Sequence, residues 1–363
     1  MKEGTEQLLG EHWRMVQDFI ASRAWHVAAP ALPEDEHDPL LEQQPYGAFM
    51  MGFDFHLSEK GPRLIEVNTN AGGLATVFQF EQEGMQRDFI ADKFVHALRR
   101  EYQLAGHGGS PALVAIIDDD VETQNLYPEM CHFARILRDS GIEAEVCSPE
   151  ALTFRDGKLW LHERTVDLVY NRLTDFRLRE ERHAHLREAC LEKAVVLTPH
   201  PSVYVRCADK RNLREMRHPV VPTTMLFRDK PAEEWAREKK GLVFKPPDGA
   251  ASKGVYRGDK ISGVKLKELP PETIVQELVP PPTSADGAKY DLRVYTRDTD
   301  ILGLAVRHFS GQVMEMRTAA AGFRAALPEG VCCFPMVSDP DMCELWQAFQ
   351  FCDPDCCDRD IVE

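Results

Sequence analysis

The sequence predicts a multi-domain chain that combines α/β and α+β architecture. Its 363 residues exceed what one hydrophobic core usually organises. In the middle, the apolar run at 112–117 leads into an acidic "DDD", a helix pattern ending at Gly141 and the strand pattern "IEAEVCS", which together indicate a β-α-β unit. From Arg206 onward, short strand patterns between polar loops indicate an antiparallel-rich region.

Two helix patterns enclose a hairpin in the first hundred residues. Apolar side chains at helical spacing predict an amphipathic helix over residues 3–23, and residues 83–106 carry a second helix pattern. Between them, "GAFMMGFDFHL" and "RLIEVNT" are rich in aromatic and branched residues and are joined by the turn sequence "SEKGP". We therefore expect an antiparallel hairpin, with the first domain boundary at the glycines of "GHGGSP".

Residues 106–205 are expected to form a small α/β domain. After the β-α-β unit come the hairpin "LTFRDGKLWLH", the strand "VDLVYNR", a charged helix from about Arg177 to Lys193 and the strand "AVVLTPH". The acidic "DDD" ends the first strand, where open α/β sheets place ligands. The GxGxxG fingerprint is missing, so nothing indicates a dinucleotide site.

Composition narrows the possible partners and the location. A net charge of −16 argues against nucleic-acid binding, which depends on clustered Lys and Arg. No apolar run reaches membrane-spanning length and no secretory signal is visible, so we expect a soluble, cytoplasmic protein without a membrane partner. Many of the ten cysteines fall within residues 331–363, at spacings unlike a zinc site, and reduced thiols are expected there.

Oxygen-bearing side chains cluster on the predicted hairpin. Asp54 lies in the first strand, while Glu66 and Asn68 are two residues apart and point to one face of the second. Mg²⁺ takes one or two carboxylates and completes its coordination with substrate phosphates, so this set suits a metal that is shared with a nucleotide. A polar hairpin face explains the same residues equally well, with Asn68 and Asn70 serving the following turn.

The segment "KPPDGAASKGV", residues 245–255, suits a polyphosphate. Its small residues let backbone N–H groups approach phosphate oxygens, and Lys245 and Lys253 supply positive charge. It lacks the GxxxxGK[ST] pattern of a P-loop, and a glycine-containing surface turn is the alternative. The later strand "TIVQELVPP" offers backbone groups and a carboxylate to an adenine and a ribose, or is an ordinary strand edge.

Arginines on neighbouring strand patterns are candidate anion ligands. Arg293, Arg307 and Arg317 lie in "YDLRVYTR", "AVRHF" and "MEMRT", and a guanidinium grips phosphate or carboxylate in bidentate fashion. Taken singly, each would be a surface ion pair. That is the preferred interpretation for Arg297 and Arg324.

Together these motifs resemble the ATP-grasp superfamily of carboxylate-amine ligases over most of residues 45–80 and 205–325. The hairpin is similar to the metal-binding end of the ribosomal-protein glutamate ligases and D-alanine-D-alanine ligases, "VFKPPDGAASKGV" to the phosphate-covering loop and "VQELV" to the adenine hinge. Glu-x-Asn comes last in most such chains but first here. The resemblance therefore implies a circularly permuted ATP-grasp fold, like that of eukaryotic-type glutathione synthetase, with an inserted small α/β, pre-ATP-grasp-like substrate domain.

The resemblance also implies domains, cofactors and residue roles. The domains would be a first core part at 1–105, the substrate domain at 106–205, a lid at 206–285, the remaining core strands at 286–330 and a Cys-rich tail at 331–363. ATP and Mg²⁺ would be the cofactors. The implied metal ligands are Asp54, Glu66 and Asn68; the catalytic residues are Lys245, Arg307 and Arg317; the nucleotide would be bound by Lys210, Lys245, Ser252, Lys253, Gly254, Gln276, Glu277, Leu278, Val279 and Arg293.

The implied function is an ATP-dependent ligase that activates a carboxylate as an acyl phosphate and joins it to an amine, releasing ADP and phosphate. The substrates would be an amino acid or a short peptide, and a homodimer would be usual for the relatives. A small-molecule kinase on the same scaffold and a non-catalytic nucleotide-binding protein are the alternatives. The segment "TAAAGFRAAL" departs from many relatives because it lacks their Asn and paired glycines.

Overall fold

The computed structural model describes residues 2–28, 32–43, 49–74, 85–247, 254–283, 289–309 and 322–324. The α-helices are α1 (Lys2–Ser22), α2 (Pro39–Glu42), α3 (Met85–Leu104), α4 (Tyr127–Asp139), α5 (Ala184–Leu191), α6 (Pro201–Val203), α7 (Ala232–Glu238) and α8 (Gly263–Lys267). The strands are β1 (Met51–Ser58), β2 (Gly61–Asn68), β3 (Leu113–Ile117), β4 (Glu143–Cys147), β5 (Leu152–Arg155), β6 (Lys158–Leu161), β7 (Arg164–Thr165), β8 (Leu168–Asn171), β9 (Val196–Thr198), β10 (Thr224–Leu226), β11 (Leu242–Lys245), β12 (Tyr256–Arg257), β13 (Ile274–Glu277), β14 (Lys289–Arg297), β15 (Asp300–Phe309) and β16 (Gly322–Arg324).

A five-stranded sheet combines the N-terminal hairpin with the C-terminal strands. Its order is β16-β15-β14-β1-β2, and every neighbouring pair is antiparallel. Side chains alternate along each strand, so Phe53 and Phe55 pack on one side against Phe19 of α1. The opposite side carries Asp54 and Arg293. One face of this sheet is thus hydrophobic core and the other carries the charged residues.

The small α/β region contains a four-stranded parallel sheet of order β4-β3-β8-β9. Its central strand β3 is buried along its whole length, as expected for a parallel sheet that is covered on both faces. Phe94 of α3 stacks on Phe133 of α4 with ring centroids 4.1 Å apart, in a core that also contains Tyr295 of the five-stranded sheet. A small antiparallel sheet, β5-β6-β7, lies beside it.

A third sheet has the order β10-β13-β11-β12. Phe244 and Val275 point into its own small core, together with Trp235 of α7. The alternating positions Lys245 and Gln276 therefore lie on the other face of the sheet. This alternation presents polar groups from the third sheet toward β2.

Most predicted elements are confirmed, including the opening helix, the hairpin and the β-α-β unit. The charged helix predicted from Arg177 is wrong in its first half, because the described helix begins only at 184 after a short 3-10 turn. Asp175 accepts hydrogen bonds from the backbone N–H groups of Arg177 and Glu180, and Leu178 adopts a left-handed φ of 52°. The left-handed Leu178 interrupts the helical backbone, and the hydrogen bonds to Asp175 hold the turn that takes its place.

Among the described residues, no helix is long and apolar enough to cross a membrane. The Cys-rich tail at 331–363 lies outside the described residues. The predicted domain boundaries and the circular permutation stay predictions.

Candidate functional site

The three predicted metal ligands lie together on the hairpin. Asp54 is directly opposite Glu66 across the β1–β2 pair, and Asn68 pairs with Gly52 one step further along the same face. Asn68 Nδ2 lies 3.1 Å from Asp54 Oδ2 and 3.5 Å from Glu66 Oε1. The three differ in accessibility, because the Asp54 side chain is only 1% exposed whereas that of Glu66 is 32% exposed.

Two lysines from separate segments approach this set. Lys210 Nζ is 3.9 Å from Glu66 Oε2. Lys245 Nζ donates to Gln276 Oε1 at 2.7 Å and to the Ile65 carbonyl at 3.1 Å. Burial lowers the pKa of Lys245 to about 8, with Lys210 adding a repulsive charge. The site therefore contains a concentration of positive charge beside a partly exposed carboxylate, which suits a polyphosphate with its metal.

Two arginines bind the buried side of the same set. Arg293 forms a bidentate pair with Asp54 at 2.6 and 2.7 Å, and Arg307 Nη2 reaches Asp54 Oδ2 at 2.7 Å. Arg307 also forms a bidentate pair with Asp291, both bonds being 2.7 Å. Burial would raise the pKa of Asp54, but the two guanidinium groups outweigh it and hold the pKa below its usual range. Two acids and two bases thus form one buried, charge-balanced network.

Lys210 is supported by a second buried network. Its neighbour Arg211 is fully buried and donates to Asp209 at 2.6 and 2.9 Å and to Glu36 at 2.9 and 3.2 Å. Arg177 of the small α/β region binds both acids as well. Burial alone would raise the pKa of Glu36, yet hydrogen bonds from Arg211 and Arg177 hold it at about 2. These contacts fix the short 3-10 helix that begins at Lys210.

The loop after Asn68 joins the five-stranded sheet to the small α/β region. The Gly72 carbonyl accepts from Tyr295 Oη at 2.9 Å and from Arg293 Nη1 at 3.4 Å. On the other side, Gly73 N donates to both carboxylate oxygens of Glu129 at 2.9 and 3.0 Å, and Arg172 Nη1 donates to the Ala71 carbonyl at 3.2 Å. The small residues of "NAGG" let both partners approach the backbone.

The expected adenine hinge at Gln276–Val279 spans the end of β13. Glu277 pairs with Arg63 at 2.9 Å, and Leu278 N donates to the Gly241 carbonyl at 2.8 Å. The Val279 carbonyl lies 2.7 Å from Nδ1 of His56, whose pKa burial lowers to about 4, so this neutral imidazole donates from Nδ1. Within this hinge, Gln276 Oε1 accepts the hydrogen bond from Lys245.

Some predicted residues lie outside the described set. Ser252, Lys253 and Arg317 belong to undescribed segments, and Gly254 is the first described residue after residues 248–253 of the predicted phosphate loop. Gly254 has a φ of 74°, a left-handed conformation that favours glycine. The expected ion pair of Arg297 is confirmed, since its Nη2 lies 2.5 Å from Asp300 Oδ2.

Sequence reasoning missed two side chains at the site, His56 and Asp291. Each lies two residues from a predicted site residue, Asp54 or Arg293, and strand alternation therefore directs it toward the same face. That spacing was the available signal. Their partners, Val279 and Arg307, are too distant in sequence for a local pattern to reveal.

The acidic end of β3 has mostly internal partners. Asp119 accepts from His183 Nε2 at 2.8 Å and pairs with Arg182 at 3.2 Å. Asp118 has its pKa raised by burial to about 6, despite the neighbouring Arg172. Asp119, Glu180 and His183 lie close enough to share a metal, but Arg182 is 3.0 Å from Glu180 and supplies a cation to that cluster.

A cleft lies between the hairpin loop and the carboxyl ends of β8 and β9. Phe176 and Tyr204 stack there with centroids 4.2 Å apart. Burial lowers the pKa of His200 to about 4, so that ring is neutral near pH 7. The described lining carries no charged side chain: it consists of Thr69, Asn70, Asn171, Leu173, Phe176, Pro199, His200, Pro201 and Tyr204.

No known protein-family profile matches this chain, and no curated protein sequence matches it significantly. Solved structures do match. A structure described as a putative gamma-glutamylcysteine synthetase from Methylobacillus flagellatus KT is 12% identical, with a TM-score of 0.54 over 95% of this chain and 93% of that one. A glutathione synthetase-like effector from Globodera pallida is also 12% identical, with a TM-score of 0.49 over 89% and 84% of the two chains.

A third match is described as the ATP-grasp ligase PsnB complexed with a minimal precursor, at 17% identity and a TM-score of 0.38 over 66% of this chain and 81% of that one. The first likeness covers nearly the whole of both chains and shows a shared fold. The chain therefore has a mixed α/β, multi-sheet fold that it shares with the first of these structures, and the sequence predicted this mixed architecture. At these identities the likeness concerns the fold alone.

Proposed function

We propose that the protein is an ATP-dependent ligase that joins a carboxylate to an amine. The observation that carries this proposal is the convergence of Lys210 and Lys245 on the strand of Glu66 and Asn68. Lys210 lies 3.9 Å from Glu66, and Lys245 binds the carbonyl of Ile65, the residue before Glu66. Three distant segments thus bring cations and oxygen ligands to one face, as a nucleotide with its metal would require.

The residues fit Mg²⁺ and a nucleotide by their chemistry. Glu66 and Asn68 offer the carboxylate and amide oxygens that a hard divalent cation accepts. When bound, Mg²⁺ neutralises phosphate charge and makes the terminal phosphorus easier to attack. Lys210 and Lys245 bind phosphate oxygens, and Arg307 stabilises the charge that develops during transfer. The predicted roles of Ser252, Lys253 and Arg317 remain part of this proposal, as anion ligands from the undescribed segments.

The proposed chemistry has two steps that balance. A substrate carboxylate oxygen forms a bond to the γ-phosphorus of ATP, and ADP leaves with the electrons of the broken P–O bond. The amine then forms a bond to the acyl carbon, inorganic phosphate leaves, and the amine loses a proton. Water must be kept out between the steps, which is the role proposed for the loop at 245–255.

The substrate is proposed to bind beside the uncharged cleft. Asn70 lies two residues after Asn68, so their Cα atoms are at most about 7 Å apart. A substrate with its carboxylate near Asn68 would place its neighbouring atoms beside Asn70, Phe176 and Tyr204. The cleft as described has a volume of only about 10 Å³, room for one water molecule, so the amino acid or short peptide proposed as substrate would extend beyond it.

The test measures release of ADP and phosphate from Mg²⁺ and ATP with pooled amino acids and short peptides, with and without hydroxylamine. Hydroxamate together with free phosphate is the expected result, because hydroxylamine traps an acyl phosphate. Glu66→Gln should abolish both signals, whereas Glu163→Gln, an exposed surface change, should leave them intact. ADP with a stable phosphorylated product would instead identify a kinase. Nucleotide binding without ADP release from any pool would favour a binding protein.

A further inference from the structure

We propose that Asp54 is a positioning residue that holds Arg307 ready for an anion, and that it does not ligate the metal. This inference refines the predicted ligand set, and it rests on the proposed function only in taking the anion to be a phosphate or acyl phosphate group. It leaves Glu66 and Asn68 as the metal-binding pair on the hairpin.

Both oxygens of the Asp54 carboxylate already accept hydrogen bonds. Oδ1 accepts from Arg293 Nε at 2.6 Å. Oδ2 accepts from Arg293 Nη2 at 2.7 Å, from Arg307 Nη2 at 2.7 Å and from Asn68 Nδ2 at 3.1 Å. The side chain is 1% exposed, so little of either oxygen faces the open side of the site. Glu66, by contrast, is 32% exposed and has only two long contacts, from Asn68 Nδ2 at 3.5 Å and from Lys210 Nζ at 3.9 Å.

The charges of the buried side chains around Asp54 already balance without a metal. Asp54 and Asp291 together match Arg293 and Arg307, and all four side chains are buried. A divalent cation on Asp54 would add two positive charges beside two guanidinium groups in a site with little water. Breaking a buried ion pair leaves an uncompensated charge, which is strongly unfavourable. A metal at the partly exposed Glu66 breaks no buried ion pair.

Arg293 and Arg307 differ in how many of their N–H groups already have an acceptor. Arg293 uses Nε and Nη2 for Asp54 and Nη1 for the Gly72 carbonyl at 3.4 Å, so it holds the loop. Arg307 uses Nε and Nη2 for the two aspartates. Its Nη1 makes no hydrogen bond to any residue in the described part of the chain. Arg307 is therefore the arginine with a preorganised donor left for a ligand.

The experiment separates metal binding from anion binding in the full chain. The Mg²⁺ requirement is read by titrating Mg²⁺ at a fixed concentration of a non-hydrolysable ATP analogue and measuring binding by calorimetry. We expect Glu66→Gln to raise the Mg²⁺ concentration at half-saturation more than about tenfold, because one ligand of a site with few protein ligands is lost. Asp54→Asn should leave it within about twofold. At saturating Mg²⁺, Asp54→Asn and Arg307→Gln should weaken analogue binding by a similar factor of about ten, the size of one charge-assisted hydrogen bond.

A charge-balanced variant guards against loss of folding. Asp54→Asn leaves two guanidinium groups facing one carboxylate, whereas Asp54→Asn with Arg307→Gln removes one charge of each sign. We expect the double variant to melt at a higher temperature than Asp54→Asn and to keep the wild-type Mg²⁺ requirement. If Asp54→Asn does not fold, the Mg²⁺ requirement of the double variant tests the same assignment. Glu163→Gln is the surface control.

Two results would overturn the assignment. A Mg²⁺ requirement raised by Asp54→Asn, or by the double variant, as much as by Glu66→Gln would make Asp54 a metal ligand. If a folded Arg307→Gln variant bound the analogue with unchanged affinity, Arg307 would not be an anion ligand. Either outcome leaves the proposed ligase standing. A wild-type chain that binds neither the analogue nor Mg²⁺ would overturn the proposed function itself and this inference with it.

Discussion

Glu66 lies directly opposite Asp54 across the β1–β2 pair, so two carboxylates face each other on neighbouring strands. Like charges in this position destabilise a sheet. The surroundings compensate from two directions, with Arg293 on the buried side and Lys210 on the exposed side. Only the buried acid is fully matched by hydrogen bonds, which leaves the outer acid available to a cation from solution.

Lys245 predicts a pH dependence of nucleotide binding. Its pKa of about 8 means that the ammonium loses its proton as the pH rises through that value, whereas phosphates bind the charged form. We expect affinity for Mg²⁺-ADP to fall between pH 7 and 9.5, by up to about tenfold per pH unit, as for one linked proton. Lys245→Met should bind weakly at every pH, at the level that wild type approaches at high pH. Calorimetry at several pH values measures this.

Lys240→Met is the matched control, because Lys240 is exposed on the same sheet region and should keep the wild-type slope. If Lys245→Met retained the same pH slope, another group would be responsible for it.

Glu101 predicts a stability that decreases as the pH rises. Burial raises the pKa of this carboxyl to about 7, and its Oε1 makes no hydrogen bond within the described residues. The native state therefore holds a proton between pH 4.5 and 7 that the unfolded chain has lost, so stability falls with pH across this window. Glu101→Gln should be more stable than wild type at pH 8, by at most about 3 kcal/mol, and nearly equal at pH 5. Thermal unfolding at both pH values tests this.

Exposed Glu192→Gln serves as the control and should change neither melting temperature. Arg297, 3.9 Å from Glu101, is the group that would account for a loss of stability in Glu101→Gln at pH 8.

Gly72 predicts an intolerance to a single methyl group. A Cβ on this residue would collide with the Leu126 side chain and lie 2.8 Å from Arg172 Nη2. Gly72→Ala should cost about 1–3 kcal/mol of unfolding free energy, as overpacking does, because the backbone approaches both of its partners closely. Gly108→Ala, where a Cβ meets nothing within 4 Å, should be neutral. Equal urea midpoints for the two variants would show that the loop can move away.

The contacts of Arg211 predict that this residue controls the position of Lys210, although Arg211 itself would not touch the ligand. Arg211→Met leaves Asp209 and Glu36 without their main cation, which costs about 3–5 kcal/mol for a buried pair. We expect a lower melting temperature and, at a temperature where the variant is folded, weaker Mg²⁺-ADP binding. Arg217→Gln, at an exposed arginine, should change neither property. Wild-type affinity in a folded Arg211→Met would mean that Lys210 is held by other contacts.

The sequence predicted the strands and the residues on their polar face well, because alternation is a local property. Glu66 and Asn68 fall on one face of β2, as their spacing requires. The apolar residue between them belongs to the hydrophobic core that also contains side chains of α1. The β-α-β unit was equally clear, since continuous apolar runs mark buried parallel strands.

Partner choice could not be predicted in the same way. Asp54 and Arg293 are 239 residues apart, and nothing local distinguishes a strand aspartate that binds a metal from one that binds a guanidinium. The lost first half of the helix at 177–193 has a similar origin. Its periodicity was helical, but Asp175 and the left-handed Leu178 decide the backbone there.

The pairing of β1 with β14 constrains how the chain is made. During synthesis β1 and β2 emerge early, while β14 follows more than two hundred residues later. Until then one edge of β1 has no strand beside it, although β1 carries Phe53 and Phe55. Unpaired hydrophobic edges invite association with other chains, and closing so long a loop slows folding. We therefore expect the nascent chain to depend on chaperone protection until β14 leaves the ribosome.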